Sequence, residues 1–137
     1  MLMDMKIIFA VVVAISVFLS VSPSFGQTIN GIPAVNFICL QPEPIFDIMD
    51  AAYNRSPEAG SALADKYIEN NECWHVNSTP VEIISILQES FDPEGKLWAV
   101  VAVKPHESTG FGQRLQRYAV VDAAIAKAYL IRHQTEI

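Results

Sequence analysis

The sequence predicts an α+β fold in which an N-terminal αα-hairpin, clasped by a disulfide, is followed by a small antiparallel β-sheet. Three observations carry that expectation. Two segments with apolar residues at helical spacing lie between Cys39 and Cys73, the only two cysteines. The turn sequence Asp92-Pro93-Glu94-Gly95 separates two runs rich in apolar and β-branched residues. Internal repeats and low-complexity linkers are missing from the sequence, which argues for one unit.

The chain opens with a short charged start, Met1 to Lys6, then a nearly all-apolar run, Ile7 to Val21, then Ser24-Phe25-Gly26. This is the three-part layout of a secretory signal peptide, with small residues at the minus-three and minus-one positions. Residues 1–26 are therefore expected to be removed on export to the periplasm or beyond, leaving 27–137 as a single mature domain that opens at Gln27. A membrane anchor is the rival reading. The apolar run, however, is 15 residues long, short of the roughly 20 needed to cross a hydrocarbon core, and Pro23 and Gly26 stop any helix that would lengthen it. A lipid anchor would need a cysteine at the cleavage point, and the first is Cys39. No stable membrane anchor is thus expected once the signal is cleaved.

Export decides how Cys39 and Cys73 are read, because two thiols in a small domain in an oxidising compartment pair. Between them, Ile45, Ile48, Met49 and Ala52 recur at helical spacing behind Pro42 and Pro44, predicting a helix from about Pro44 to Asn54. Ser56-Pro57-Glu58 reads as an N-cap, a proline at the first helical position and an acid in the first turn. It opens a second helix to about Asn70, with Ala59, Leu63 and Tyr67 or Ile68 on its buried face. The short connection predicts an antiparallel pair spanning 44–70, with the two cysteines just outside its open end.

Past Cys73 the pattern becomes extended, and the β-sheet is expected over 81–121. Val81 to Phe91 and Leu97 to Val103 form a hairpin, with Pro93 presetting the turn and Gly95 taking the left-handed position. The second run alternates Leu97, Ala99, Val101 and Val103 with Trp98, Val100 and Ala102, so both faces are apolar and the strand should lie between two packed layers. His106 to Gly112 is a polar loop, and Leu115 to Val121 a third strand. After it, Asp122 caps a short helix over 123–133, with a short strand over 126–131 as the alternative.

The order Cys39, two helices, Cys73, Pro80, a β-hairpin and then Tyr118-Ala119-Val120-Val121-Asp122 resembles a type of small exported protein of bacteria and their phages. In that type a disulfide-clasped helical hairpin precedes an SH3-like β-barrel. The resemblance covers about Ile38 to Ala126 and rests on order and spacing. It implies a fold and a compartment, and no particular activity.

The net charge of -6, without a basic cluster, makes nucleic acid a poor partner. Candidate chemistry is sparse. Cys73-Trp74-His75 places a thiol and an imidazole on one face of an extended segment, a nucleophile pair on one reading and a disulfide beside a surface histidine on the other. His75, His106 and His133 are spaced 31 and 27 residues apart, which makes no recognisable metal site. Asp47 with Asp50, and Asp92 with Glu94, fit a solvated helix face and a turn. No catalytic residue, cofactor or metal is assigned. Among the aromatics, Trp98 and Tyr118 read as core, whereas Phe111, between Gly110 and Gly112, reads as a contact residue on a loop. The leading functional expectation is a non-enzymatic exported module that binds a protein or cell-wall component of the envelope. The alternative is a small periplasmic hydrolase working through His75 or His106.

Overall fold

A computed structural model describes residues 28–29, 31–109 and 115–135. The expected signal peptide, Gln27 and Phe111 lie outside these described residues. The chain runs β1 (Thr28–Ile29), β2 (Ile32–Cys39), α1 (Glu43–Asn54), α2 (Pro57–Glu69), β3 (Cys73–Phe91), β4 (Leu97–Pro105), a 3-10 turn (Glu107–Thr109), β5 (Arg117–Asp122) and α3 (Ala123–Thr135). The fold is α+β, and the five strands form one antiparallel sheet in chain order. The sheet curls until β5 pairs with β2 through Cys39 and Tyr118.

β4 separates two cores because its apolar residues alternate without a polar side. Ala99, Val101 and Val103 pack with Val35, Val81, Ile83, Ala119 and Val121 inside the curl, where Ala123, Ala126 and Tyr129 of α3 close it. Trp98 and Val100 face the other way, onto Ile45, Ile48 and Met49 of α1. Local signals explain the helices. Ser56 Oγ accepts the Ala59 N–H at 3.0 Å at the start of α2, and Asp122 Oδ1 accepts the Ala124 N–H at 2.8 Å at the start of α3. The residues after Asp122 are therefore helix, and the strand alternative over 126–131 does not occur.

The helical pair does not precede the sheet, which corrects the expected order: β1 and β2 come first, and α1 and α2 are inserted between β2 and β3. The sheet also begins well before Val81, since β3 is extended from Cys73 and its first half pairs with β2. β2 is hard to read as a strand because Pro33 and Asn36 interrupt it, both depleted in strands. Asn36 is used at a bulge between Val35 and Phe37, where its side-chain oxygen accepts the backbone N–H of Ser78. Ser78 is held there at φ +34°, a left-handed conformation uncommon for a serine. The third strand starts at Arg117 and ends at Asp122, two residues later and one residue later than expected.

The disulfide between Cys39 and Cys73 is formed, with Cα atoms 4.0 Å apart, and both cysteines are fully buried. It joins neighbouring strands at the foot of the helical pair. Tyr67 near the end of α2 donates a hydrogen bond to Asp47 near the start of α1 at 2.8 Å, so the helices run antiparallel. This bond, and then partial burial, push the Tyr67 phenol up to about 12. The two helices approach most closely at Gly60: a Cβ built there would lie 2.6 Å from Ala52 Cβ and 3.1 Å from Ala52 Cα.

Candidate functional site

The apolar stripe of α1 is wider than its contact with the sheet. Ile45, Ile48 and Ala52 are buried, while Phe46 and Tyr53, one position on from Ile45 and Ala52, are only partly covered. Opposite them stand Gln88 and Ser90 of β3, which point to the α1 side because they pair with Val100 and Trp98. Together with Met49, Asp50, Asn54 and Phe91 these side chains line a groove of about 240 Å³. Phe91 stands at its mouth with 67% of its surface exposed, the most exposed large apolar side chain among the described residues.

The hairpin turn that follows Phe91 is organised by one carboxylate. Asp92 Oδ1 accepts the N–H groups of Glu94 and Lys96, both at 2.9 Å, and Oδ2 accepts the Trp98 indole N–H at 2.9 Å. Gly95 takes φ +87°, the left-handed position the turn requires. Lys96 lies 4.4 Å from the centre of the Trp98 ring and 3.2 Å from Asp122, so the turn is tied to the cap of α3. Partial burial pushes the Asp92 carboxyl up, but the hydrogen bonds from Trp98, Lys96 and Glu94, with the charge of Lys96, outweigh it and hold the group below its ordinary value. Burial, and then the negative charge of Asp92, raise the Tyr53 phenol.

Polar groups in the groove include both donors and acceptors. Asp50 Oδ1 accepts from the Asn54 side-chain amide at 2.7 Å, and the Gln88 amide donates to Ser90 Oγ at 3.2 Å. All charge lining the groove is negative, and the surface it offers is aromatic and apolar. Such a surface recognises a ligand by burial and ring contacts, with the polar groups setting orientation.

The residues singled out from the sequence are not brought together. Cys73 is bonded to Cys39, so it is no free nucleophile. His75 is exposed on β3 with its ring edge-on to Phe37 at 5.5 Å between centroids. His106 follows β4; its backbone N–H donates to Pro80 at 2.9 Å and its carbonyl accepts from Thr109 Oγ1 at 2.7 Å. His133 stacks on Tyr129 at the end of α3, 3.8 Å between centroids. Among the described residues no group of three or more His, Cys, Asp or Glu could hold a metal ion, and no helix is long and apolar enough to cross a membrane. Trp98 is core, and Tyr118 packs partly buried beside it.

The groove itself was not anticipated from the sequence. Its one sequence signal is the repetition of Phe46 and Tyr53, one position off the buried stripe of α1, which marks a helix edge whose large rings pack only partly on the core. No family model, curated protein or solved structure matches the chain.

Proposed function

We propose that the protein is exported through a signal at residues 1–26 and acts in an oxidising compartment as a non-enzymatic binding or accessory module of the cell envelope, on a small SH3-like barrel. The disulfide supports the compartment, because such bonds persist outside the reducing cytoplasm. The pairing of β5 with β2, which curls four strands around one core, supports the barrel. The observation that carries the binding role is the groove between α1 and β3, with Phe91 two-thirds exposed at its mouth. Large apolar side chains held at a rigid, water-exposed site are the usual anchors of recognition.

Two measurements test this. The intact mass of the exported protein should correspond to a chain starting at Gln27, and a mass retaining residues 1–26 overturns cleavage. A photo-crosslinking amino acid at position 91, introduced in cells, should give a discrete adduct with an envelope protein or cell-wall fragment, while the same group at the exposed turn residue Glu94 should not. Equal labelling at the two positions, or none at either, overturns the groove as the contact surface.

A further inference from the structure

We infer that the groove takes a lysine or arginine side chain carried on an extended, otherwise apolar segment of a partner protein. The inference rests on the binding role proposed above and names the chemistry of its partner. Phe46, Tyr53 and Phe91 present three aromatic rings around a space of about 240 Å³, and Asp50 is the one charged residue in the lining. A cation above aromatic faces is attracted by their quadrupoles, and a carboxylate at the rim adds the matching charge. Lys96, the nearest cation in the turn, is already engaged by Asp122 and the Trp98 ring, so it does not neutralise the groove. The whole chain carries a net charge of -6, which steers basic partners toward it.

The wall of the groove indicates the shape of the partner. Over Ile84 to Phe91, β3 pairs with β4 on one side and with no described strand on the other. Register shifts at Ile84 and Leu87 leave both side chains about 40% exposed along this edge. The two bulges blunt this edge for backbone pairing, but the exposed Ile84 and Leu87 beside the groove suit an extended segment whose apolar side chains lie along them. A glycan is the competing occupant, since rings and amides also bind sugars. The groove favours a cation over it because the single charged residue of its lining, Asp50, is negative and stands among three aromatic rings.

The test uses the disulfide-bonded exported protein and the pentapeptide acetyl-Val-Phe-Lys-Phe-Val-amide, followed by NMR at the Asn54 and Gln88 side-chain amides. The expected result is saturable shifts, with affinity about tenfold higher than for the norleucine counterpart, a difference within the range of a cation on aromatic faces. Asp50→Asn should weaken the lysine peptide several-fold and leave the norleucine peptide unchanged, and added salt should weaken the lysine peptide alone. Equal affinity for lysine and norleucine peptides overturns the cation inference and leaves the apolar docking surface standing. Binding of chitotetraose with no response to any peptide overturns it in favour of a glycan. No shift with any probe, together with an adduct at position 91 in cells, overturns the cation; no shift and no adduct overturns the binding role itself.

Discussion

At the disulfide end, β2, β3 and β5 converge on Cys39, whose Cα is 4.0 Å from that of Cys73 and whose side chain is fully buried beneath α1 and α2. At the turn end, β3 runs on past β2, α1 stands off from it, and Phe91, Leu87 and Ile84 face water. The first region joins chain segments far apart in sequence and hides its apolar surface. The second is organised by local hydrogen bonds from one side chain, Asp92, and leaves apolar surface open. The difference teaches that the covalent clasp and the exposed apolar surface sit at opposite ends of one strand, β3, so that changes at one should be weakly felt at the other.

Breaking the disulfide should have the largest effect. Reduction, or Cys39→Ser with Cys73→Ser, reopens a loop with a sequence separation of 34 and should lower the unfolding free energy by about 3 to 4 kcal/mol. Urea denaturation with and without reductant measures it. A loss below about 1 kcal/mol would mean that the packing of α1 and α2 holds this end without the covalent link.

Gly60→Ala comes next. Alanine is the better helix former by about 1 kcal/mol, yet the added methyl meets Ala52 at 2.6 Å, with Ala52 Cα only 3.1 Å away. Overpacking of this kind costs about 1 to 3 kcal/mol, so the net change should be destabilising. Adding Ala52→Gly should recover part of the loss in the same denaturation assay. A stabilised Gly60→Ala protein would show that the helices are free to move apart.

Asp92→Ala should cost about 1 to 2 kcal/mol through the lost acceptors of the Glu94, Lys96 and Trp98 N–H groups. The same carboxylate sets a pH dependence. Its folded pKa lies below the ordinary 3.8, so its contribution is fully present above that value and is lost as pH falls through the folded pKa. The stability difference between the protein and Asp92→Asn should therefore be constant from neutral pH to about pH 5 and shrink below about pH 4. A difference that grows on acidification would reverse the assignment.

The smallest effect on folding is expected at Phe91. With 67% of its surface exposed, Phe91→Ala should change stability by no more than about 0.5 kcal/mol while weakening the binding of the lysine pentapeptide several-fold. A loss of several kcal/mol would make Phe91 a packing residue and collapse the contrast between the two ends.

What could be read in the sequence was what local chemistry decides. The cap at Ser56, the turn at Asp92 to Gly95, the stripe of Ile45, Ile48, Met49 and Ala52, and the two-sided apolar run of β4 all depend on residues within a few positions of one another. The place of β2 was not legible, because Pro33 and Asn36 argue against a strand, and Asn36 is accommodated only at a bulge where it meets Ser78, 42 residues away. Gly60 looked like an ordinary helix residue, and its role appears only when Ala52 is set against it. The groove has the same origin: Tyr53 and Gln88 belong to different elements, and neither carries a motif. Phe111 carries a local signal in its flanking glycines, whereas Phe91 reads as the end of a strand.

The helices occupy an insert with a single doorway. The chain leaves the sheet at Cys39 and returns at Cys73, and Leu40 N–H donates to the Glu72 carbonyl at 2.9 Å just inside that doorway. Because both edges of the doorway are fixed by strand pairing and a covalent bond, the ends of residues 41–71 are anchored independently of the packing of α1 on Trp98 and Val100. The wall of the groove formed by α1 therefore hangs from this doorway, whereas the wall formed by β3 is part of the sheet. A graft of another helical pair between these cysteines should keep the strand pairing if it restores the apolar cover over Trp98 and Val100.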